Sequence, residues 1–239
     1  MNICILDNDI LDGSLAASCS SFAALFVRLF GRINAQWTFT AFQTPLGHYP
    51  ASFDPFDAIV LTGSRADAFS DAPWVVELRK RVTQLLQTRK KMLGVCFGHQ
   101  LIALCMGAPV TRAPQGLAEG RMTYTWHRPD LPYCAQRTEI ALLASHQDQV
   151  LELPAGASLV ASSAFCPIAA FTVNQHVLCI QAHPEFTTDI STYLLDECRS
   201  LLGEDEYHRS MDNLALGHEG EPFARVAVAF LEQDATPCA

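Results

Sequence analysis

Residues 92–106 read MLGVCFGHQLIALCM, in which a short apolar run leads directly into a segment with helical spacing. The run 92–95 predicts a buried strand, and residues 98–106 predict a helix that begins immediately after it. Between them, Cys96 has one glycine two residues before it and another two residues after it. In a nucleophile elbow the central residue occupies such a tight strand-to-helix turn, where glycines let the neighbouring backbone approach closely. The stretch therefore predicts an α/β fold with Cys96 at a strand-to-helix turn.

Cys96 has two interpretations on this stretch alone. If it is a nucleophile, the helix that follows it favours the thiolate, which is the reactive form of a cysteine. If it is not, it is a buried structural cysteine that lies between two ordinary glycines. The pentapeptide 94–98 leaves both interpretations open.

The first half of the chain alternates strand-like runs with helical segments. Residues 2–6 and 57–61 are apolar runs that predict buried strands, and residues 37–42 alternate as a strand does. Apolar residues at helical spacing predict a helix over 14 to about 30 and another that opens at Pro73. This order of elements predicts a mainly parallel central sheet that is flanked by helices on both faces.

The second half has a different pattern. Residues 108–182 contain several short strand candidates, which predict an antiparallel extension at the sheet edge: 122–126, 139–143, 158–162, 168–173 and 177–181. From Thr187 onward the spacing predicts helices over 188–202, about 204–216 and 221–232. Because no repeat or linker occurs, we expect one domain over residues 1–239, with a core at 1–190 and C-terminal helices in 191–239.

Composition excludes several classes of function. With 49% hydrophobic and 17% charged residues, the chain is too apolar to be intrinsically disordered. Sixteen Lys and Arg against 25 Asp and Glu give a net charge of −9, so nucleic acid and anionic membrane are poor partners and small molecules or proteins are expected. The start lacks a signal-peptide pattern, and no run of about 18 apolar residues predicts a membrane span. Nine scattered cysteines without a C-x-x-C pair indicate free thiols in the cytoplasm.

A histidine and a glutamate follow the last predicted strand, in the sequence Ala182-His183-Pro184-Glu185. The residue before a proline is pushed toward an extended conformation, and extended residues at i and i+2 point to the same side. Glu185 can therefore accept a hydrogen bond from one ring nitrogen of His183 and turn the other toward a thiol. Alone this tripeptide is typical of a surface turn, but together with the Cys96 turn it predicts a Cys-His-Glu triad.

A third segment, Thr62-Gly63-Ser64, follows another predicted buried strand. Sites in open α/β sheets form outside the carboxyl ends of the strands. A glycine turn there can aim the backbone N–H of Ser64 at a developing oxyanion, with the N–H of Phe97 as its partner. The alternative interpretation is an ordinary loop after a strand.

Taken together, these residues resemble the class I (triad) glutamine amidotransferases. Residues 94–100, Gly-Val-Cys-Phe-Gly-His-Gln, are close to that family's G-x-C-x-G-x-Q motif, and residues 183–185 match its H-P-E. Residues 145–148, Ser-His-Gln-Asp, are similar to the S-H-G-D stretch of the glutaminase domain of GMP synthetase. The resemblance extends over residues 1–190 and implies a flavodoxin-like sheet flanked by helices.

The resemblance also implies an activity. Cys96 would attack the γ-glutamyl carbonyl of glutamine or of another γ-glutamyl compound, giving a thioester that water hydrolyses, and no cofactor or metal is implied. The oxyanion side of the site would be formed by Gly63, Ser64 and Phe97. The α-amino-acid end of the substrate would be held by Gln100, Ser145, His146, Gln147 and Asp148.

The chain departs from the family pattern in two places. Gly63-Ser64-Arg65 stands where the family commonly has Gly-Gly-Pro, so a side chain replaces the second glycine and the proline is lost. Gln147 replaces the glycine of S-H-G-D, which narrows or reshapes the substrate end of the site. Thr-Gly-Ser at 62–64 followed by Asp-Ala-Phe at 67–69 is similar to stand-alone members of the family, including γ-glutamyl peptidases.

Two other classes of site fit the spacings less well. Cys179 and His183 share a face of a strand, but four residues of strand span about 13 Å, which is too far for two ligands of one zinc ion. His99 follows Cys96 at ligand-like spacing, and we interpret it as a packed helix residue. An α/β-hydrolase has the chain order nucleophile, acid, histidine, whereas here His183 precedes Glu185.

Two further hypotheses stay open beside the free-standing γ-glutamyl hydrolase. A non-catalytic binding module of the same fold would lack a member of the triad, and all three members are present. A glutaminase subunit would deliver ammonia to a separate synthetase. Such a partner would be necessary because residues 191–239 are too few for an ATP-using domain and no G-x-x-x-x-G-K-[ST] phosphate loop occurs.

Overall fold

The computed structural model describes residues 1–13, 15 and 19–233. The strands of this described part are β1 (Asn2–Asp7), β2 (Thr38–Gln43), β3 (Ala58–Leu61), β4 (Lys91–Val95), β5 (Val110–Arg112), β6 (Ala118–Trp126), β7 (Glu139–His146), β8 (Asp148–Val150), β9 (Ala157–Ser162), β10 (Ala170–Val173) and β11 (Val177–Ile180). The helices are α1 (Phe22–Ile33), α2 (Pro73–Gln87), α3 (Phe97–Cys105), α4 (Thr188–Leu202), α5 (Glu204–Leu214) and α6 (Gly220–Glu232), with one 3-10 turn at Thr44–Leu46.

The main sheet has nine strands in the order β2-β1-β3-β4-β11-β10-β9-β6-β7. Neighbours from β2 to β11 pair in parallel, and neighbours from β11 to β7 pair antiparallel. Strands β5 and β8 form a separate two-stranded antiparallel ribbon. The predicted α/β class is confirmed, with its parallel centre, flanking helices and antiparallel extension.

Alternate residues of the parallel strands point into two different cores. On β1, Ile3 and Ile5 pack in a cluster that includes residues of α1 and α6. Cys4 and Leu6 pack on the opposite face, in a cluster that includes residues of α2 and α3. Burial on both faces explains why these strands read as continuous apolar runs rather than as alternating ones.

Helix α3 lies closer to strands β3 and β4 than a side chain would allow. A Cβ atom at Gly98 would lie 2.5 Å from the carbonyl oxygen of Leu61 and 2.7 Å from its Cβ. A Cβ atom at Gly94 would lie 2.7 Å from the carbonyl oxygen of Gly98. The two glycines around Cys96 are therefore required by the close approach of helix and strand.

The first predicted helix, over 14 to about 30, differs from the structure. Leu15 and Cys19 are helical, but Ser20 interrupts the predicted helix with a positive φ of 54°. The Ser21 side chain then accepts a hydrogen bond from the Ala24 N–H, so that α1 begins at Phe22 and ends at Ile33. Capping of this kind sets the start of a helix regardless of apolar spacing. Residues 14 and 16–18, which belong to the predicted helix, lie outside the described residues.

The C-terminal region contains the three predicted helices as α4, α5 and α6, with α5 ending at Leu214 rather than near 216. Residues 234–239, the end of the predicted C-terminal region, lie outside the described residues. Among the helices that the structure describes, none is long and apolar enough to cross a membrane.

Replacing Gly98 by alanine tests the close approach of α3. We expect Gly98→Ala to lower the free energy of unfolding by about 1–3 kcal/mol, because the new Cβ would overlap the backbone of Leu61. At Gly31, inside α1, a Cβ would meet no heavy atom within 4 Å beyond the helix's own backbone, so Gly31→Ala should instead raise stability by about 0.5–1 kcal/mol. Urea unfolding of both variants gives the comparison, and a similar effect at the two positions would contradict it.

Candidate active site

Cys96 occupies the turn between β4 and α3 with a strained backbone. Its φ is 51° and its ψ is −104°, which lies outside the regions that non-glycine residues normally adopt. The Cys96 N–H donates to Ile180 O at 2.9 Å, and its carbonyl accepts from the Gln100 N–H at 3.0 Å. The predicted strand-to-helix turn is thus present, and strand β11 and helix α3 both hold it in place.

The side chain of Cys96 is buried, with only 5% of the residue exposed. Its Sγ lies 3.8 Å from the carbonyl oxygen of Ser145, to which the thiol donates a hydrogen bond. Ser145 is near the end of β7, two residues after Leu143, which forms a bridge with His183.

His183 and Glu185 follow β11 and form a buried pair. His183 Nδ1 lies 2.7 Å from Glu185 Oε1, as the spacing of the two residues predicts. The His183 N–H donates to Leu143 O at 2.7 Å, and its ring stacks on Phe186 with ring centroids 3.8 Å apart. These contacts fix both the backbone position and the plane of the imidazole.

The charges around His183 determine its protonation. Burial alone would lower the pKa of His183, but the carboxylate of Glu185 and then the interaction with Cys96 raise that pKa above its usual range. The pair with Glu185 is thus arranged to favour an imidazolium ring next to the thiol.

Gly63 brings the loop after β3 against the same two residues. A Cβ atom at Gly63 would lie 2.7 Å from His183 Cε1 and 3.6 Å from Cys96 Cβ. The structure therefore brings Gly63, Cys96 and His183 into one cluster, and only a glycine fits at this position. Phe97 is the first residue of α3, so its N–H has no acceptor within the helix.

The residues that replace Gly-Pro of the family motif stabilise the loop. The Ser64 hydroxyl accepts a hydrogen bond from the Ala66 N–H at 3.1 Å. The Arg65 N–H donates to Asp9 Oδ2 at 2.7 Å, and its guanidinium contacts Asp9, Asp12 and the Ile10 carbonyl at 2.8–3.3 Å. An arginine network after β1 thus holds the loop that a proline would otherwise stiffen.

Gln100 is a buried brace between α3 and β8. Its Nε2 donates to the Asp148 carbonyl at 2.9 Å and to Gln181 Oε1 at 3.2 Å. Both amide hydrogens therefore bind within the protein, and the side chain positions the backbone of Asp148.

The segment from Ser145 to Asp148 links β7 to β8 along one wall of the cavity. His146 is buried, and neither ring nitrogen has a hydrogen-bond partner among the described residues. Burial and the nearby His183 lower the pKa of His146 to about 3, so its ring is neutral at physiological pH. The Gln147 carbonyl accepts from the Ala113 N–H at 2.8 Å, and Asp148 Oδ1 accepts from Arg112 Nε at 3.2 Å.

These residues surround a cavity of about 390 Å³. Among the predicted site residues, its walls contain Ser64, Cys96, Gln100, Ser145, His146, Gln147, Asp148 and His183. Gly63, Phe97 and Glu185, the other predicted site residues, are not among the residues that line it. Its further lining includes Asp12, Leu15, Phe22, Arg65, Asp67, Arg112, Phe186, Tyr193, Leu194, Glu197 and Cys198.

Glu119 is a buried carboxylate that sequence reasoning missed. It lies on β6 directly opposite Ser145 and is only 5% exposed. Burial raises the pKa of Glu119 to about 7, opposed by the Ser145 side chain, the charge on His183 and the Gly120 backbone. The sequence around it, Leu-Ala-Glu-Gly-Arg, lacks the alternation that would have signalled a strand.

The described residues contain no group of three or more His, Cys, Asp or Glu side chains that is arranged to hold a metal ion. His99 lies buried in α3, with its ring centroid 5.1 Å from that of Phe171. Cys179 lies fully buried in β11, within the core that contains α2 and α3.

Comparison with known proteins gives the class to which this fold and site belong. The sequence pattern of the family described as glutamine amidotransferase class-I matches residues 16–198. The chain belongs to the class-I glutamine amidotransferase family.

Two relatives and one solved structure are similar to this chain. It is 35% identical over 192 residues to gamma-glutamyl peptidase 3 of Arabidopsis thaliana, a match that covers 77% of this chain and 76% of the relative. It is 37% identical over 150 residues to the GMP synthase of Syntrophomonas wolfei, a match that covers 62% of this chain but 28% of that protein. The crystal structure of a glutamine amidotransferase from Thermotoga maritima superposes with a TM-score of 0.79 over 98% of this chain and 99% of that chain, at 16% identity. Both of the predicted resemblances, to GMP synthetase and to γ-glutamyl peptidases, are confirmed.

The raised pKa of Glu119 predicts a pH-dependent effect on stability. Its folded pKa is about 7 against an ordinary 4.5, so the folded protein binds a proton that the unfolded chain has already released, and stability falls as pH rises toward 7. Glutamine has no proton to lose. When the pH is raised from 5 to 8, the free energy of unfolding of Glu119→Gln should therefore increase by about 2 kcal/mol relative to that of the wild type. This figure follows from about 1.4 kcal/mol for each unit of pKa difference.

Chemical denaturation at the two pH values measures this gain. Glu139→Gln, at an exposed position on the neighbouring strand, is the matched control and should show no comparable gain. Parallel behaviour of the two variants would show that burial of Glu119 does not perturb its ionisation.

Proposed function

We propose that the protein hydrolyses γ-glutamyl amide bonds, with Cys96 as nucleophile and His183 as acid and base. Glu185 orients the imidazole through its 2.7 Å contact with Nδ1. The observation that carries the proposal is the strained turn that holds the Cys96 thiol in a cavity beside the buried His183–Glu185 pair. A nucleophile, a base and an orienting group in this arrangement are what thiol acyl transfer requires.

In the first half-reaction the Cys96 thiolate attacks the γ-carbonyl carbon of the substrate, and a C–S bond forms. The carbonyl oxygen becomes an oxyanion, to which the backbone N–H groups of Ser64 and Phe97 would donate. The imidazolium of His183 then protonates the departing nitrogen as the C–N bond breaks. The products of this step are a free amine and a γ-glutamyl thioester on Cys96.

In the second half-reaction a water molecule attacks the thioester. His183, now neutral, accepts a proton from this water, and the same two N–H groups would stabilise the second oxyanion. The C–S bond breaks, Cys96 leaves as thiolate, and His183 regains its charge. The γ-carboxyl group of glutamate is released as the acid and passes its proton to the free amine or to solvent, so that atoms and charges balance over the cycle.

The walls of the cavity support a substrate with a substituted amide nitrogen. Phe186 stacks on His183, and its ring centroid lies 5.9 Å from that of Phe22. The departing nitrogen must lie near His183 to receive its proton, so an apolar group attached to that nitrogen would contact these rings. Ammonia, the leaving group of glutamine, has no apolar group that could contact these rings. We therefore propose γ-glutamyl peptides or amides as substrates, as the name of the Arabidopsis relative also suggests.

A second candidate function rests on the similarity to GMP synthase. That protein matches this chain over 28% of its own length, so the chain would supply a glutaminase and a separate synthetase would receive the ammonia. Product analysis with glutamine and with several γ-glutamyl compounds, with and without cell extract, distinguishes the two. Ammonia release from glutamine that rises with extract would favour the subunit.

The eight described cysteines are all free. A reaction through a thiolate needs the reduced form of Cys96, and we propose the reducing cytoplasm as the compartment in which the protein works.

Removal of the nucleophile tests the proposed chemistry. Cys96→Ala should abolish turnover of a γ-glutamyl amide while the protein stays folded, because only one sulfur atom is lost from a buried turn. Glu185→Ala should retain measurable activity, because His183 keeps its acid–base chemistry and loses only its orientation. Steady-state rates with circular dichroism as the folding control give the result, and undiminished turnover by Cys96→Ala would contradict the mechanism.

Covalent labelling tests which thiol is activated. A diazo-ketone analogue of glutamine should alkylate Cys96 with loss of dinitrogen. Cys198 also lines the cavity, but burial and the charges of Glu119 and Glu197 raise its pKa to about 11, so it remains a thiol. Mass spectrometry should therefore find label on Cys96 in the wild type and in Cys198→Ala alike, and label that moves to Cys198 or spreads over several cysteines would favour a non-catalytic module.

A further inference from the structure

An ion-pair cluster of Asp67, Arg112 and Asp148 lies on the cavity wall, and only Asp148 of the three belongs to the predicted site. Arg112 Nε donates to Asp148 Oδ1 at 3.2 Å, and its Nη2 donates to Asp67 Oδ1 at 3.2 Å. All three side chains line the same cavity as Cys96 and His183. This wall therefore carries one positively charged guanidinium between two carboxylates.

Arg112 has donors that are not used within the described part of the protein. A guanidinium carries five N–H groups, and the contacts of Arg112 to Asp67 and Asp148 account for only two of them. Arg65, the other arginine in the cavity wall, is bound by Asp9, Asp12 and the Ile10 carbonyl through all three of its nitrogens. Within the described part of the protein Arg65 therefore keeps one N–H group and Arg112 keeps three, so that Arg112 has the greater capacity to bind a further anion.

The cluster is held at a defined position relative to the thiol. Ser145, whose carbonyl contacts Cys96 Sγ, precedes Asp148 by three residues, or at most about 10 Å of extended chain. Gln100, one turn into the helix that begins after Cys96, bonds the Asp148 carbonyl at 2.9 Å. Both contacts connect the backbone near Asp148 to the Cys96 turn.

We propose that Arg112 binds the α-carboxylate of the γ-glutamyl group and that Asp67, together with Asp148, binds its α-ammonium. This inference rests on the proposed function, and it assigns Asp67 and Arg112 as residues that determine substrate specificity. A guanidinium recognises a carboxylate through parallel N–H···O bonds, and a carboxylate is the natural partner of an ammonium group. A substrate with both charges on one carbon matches a wall with both complementary charges, whereas a simple acyl amide would leave them unpaired.

Three related ligands separate the two contacts. The first is γ-glutamyl p-nitroanilide, the second is the same compound with its α-carboxylate converted to a carboxamide, and the third is glutaryl p-nitroanilide, which lacks the α-amino group. Dissociation constants are measured by calorimetry on protein that carries Cys96→Ala, so that binding is read without turnover. Wild-type turnover of the first compound, followed separately, tests the proposed function itself.

Arg112→Gln should weaken binding of γ-glutamyl p-nitroanilide about 10-fold, a modest loss because Arg112 is 59% exposed. Binding of the carboxamide should change by less than about 2-fold, since that ligand has no carboxylate for Arg112 to bind. Asp67→Asn should weaken binding of the first two ligands and leave binding of glutaryl p-nitroanilide unchanged. Arg112→Lys keeps the charge but lacks the planar guanidinium. Its affinity for the first ligand should therefore lie between the affinities of the wild type and of Arg112→Gln.

Arg225→Gln is the matched control, because Arg225 is an exposed arginine paired with Glu221 on α6 and does not line the cavity. It should leave all three dissociation constants unchanged. If Arg112→Gln loses affinity equally for all three ligands, or for none of them, the inference is overturned even where the wild type turns over the anilide. Absence of that turnover would overturn the proposed function instead.

Discussion

Helix α3 can begin against strand β3 only because Gly98 has no side chain at a point where a Cβ would lie 2.5 Å from the Leu61 carbonyl oxygen. This close packing fixes the position of the Cys96 turn relative to strand β3. It also fixes the loop after β3, since Gly63 follows Leu61 by two residues and lies against both His183 and Cys96. The thiol, the loop and the imidazole therefore take their relative positions from one backbone contact, before any hydrogen bond among them is considered. Side-chain interactions then refine an arrangement that the packing of helix on strand has already set.

Several ionisable groups lie buried around this contact, and their charges depend on one another. Burial is the main cause of the low pKa of His146 and of the raised pKa of Glu119, and the positive charge of His183 lowers both values. His183 is itself buried, and the adjacent Glu185 carboxylate favours its protonated form. Within a low-dielectric interior each of these charges affects the others more strongly than it would in water. The protonation of this cavity is therefore a property of the group of residues rather than of any one side chain.

The sequence predicts the parts of this protein that are encoded locally. The apolar run and glycines around Cys96 predict the turn, and the spacing of His183 and Glu185 predicts their contact, because both depend on neighbouring residues. Glu119 escapes such reasoning because β6 begins at Ala118, before any alternating pattern, and passes through Gly120 with a φ of 91°. Asp67 and Arg112 escape it because they are 45 residues apart and meet only through the folding of the three-residue strand β5 against β8. Contacts between distant loops and short strands depend on tertiary structure that no local pattern records.

The backbone conformation of Cys96 has a consequence for how this protein can change over time. A non-glycine residue at such φ and ψ values carries about 1–3 kcal/mol of strain, which surrounding packing must offset. A glycine at the same position would relieve that strain and remove the thiol in a single substitution. Under the proposed function, a substitution that makes the protein more stable at this one position also makes it inactive.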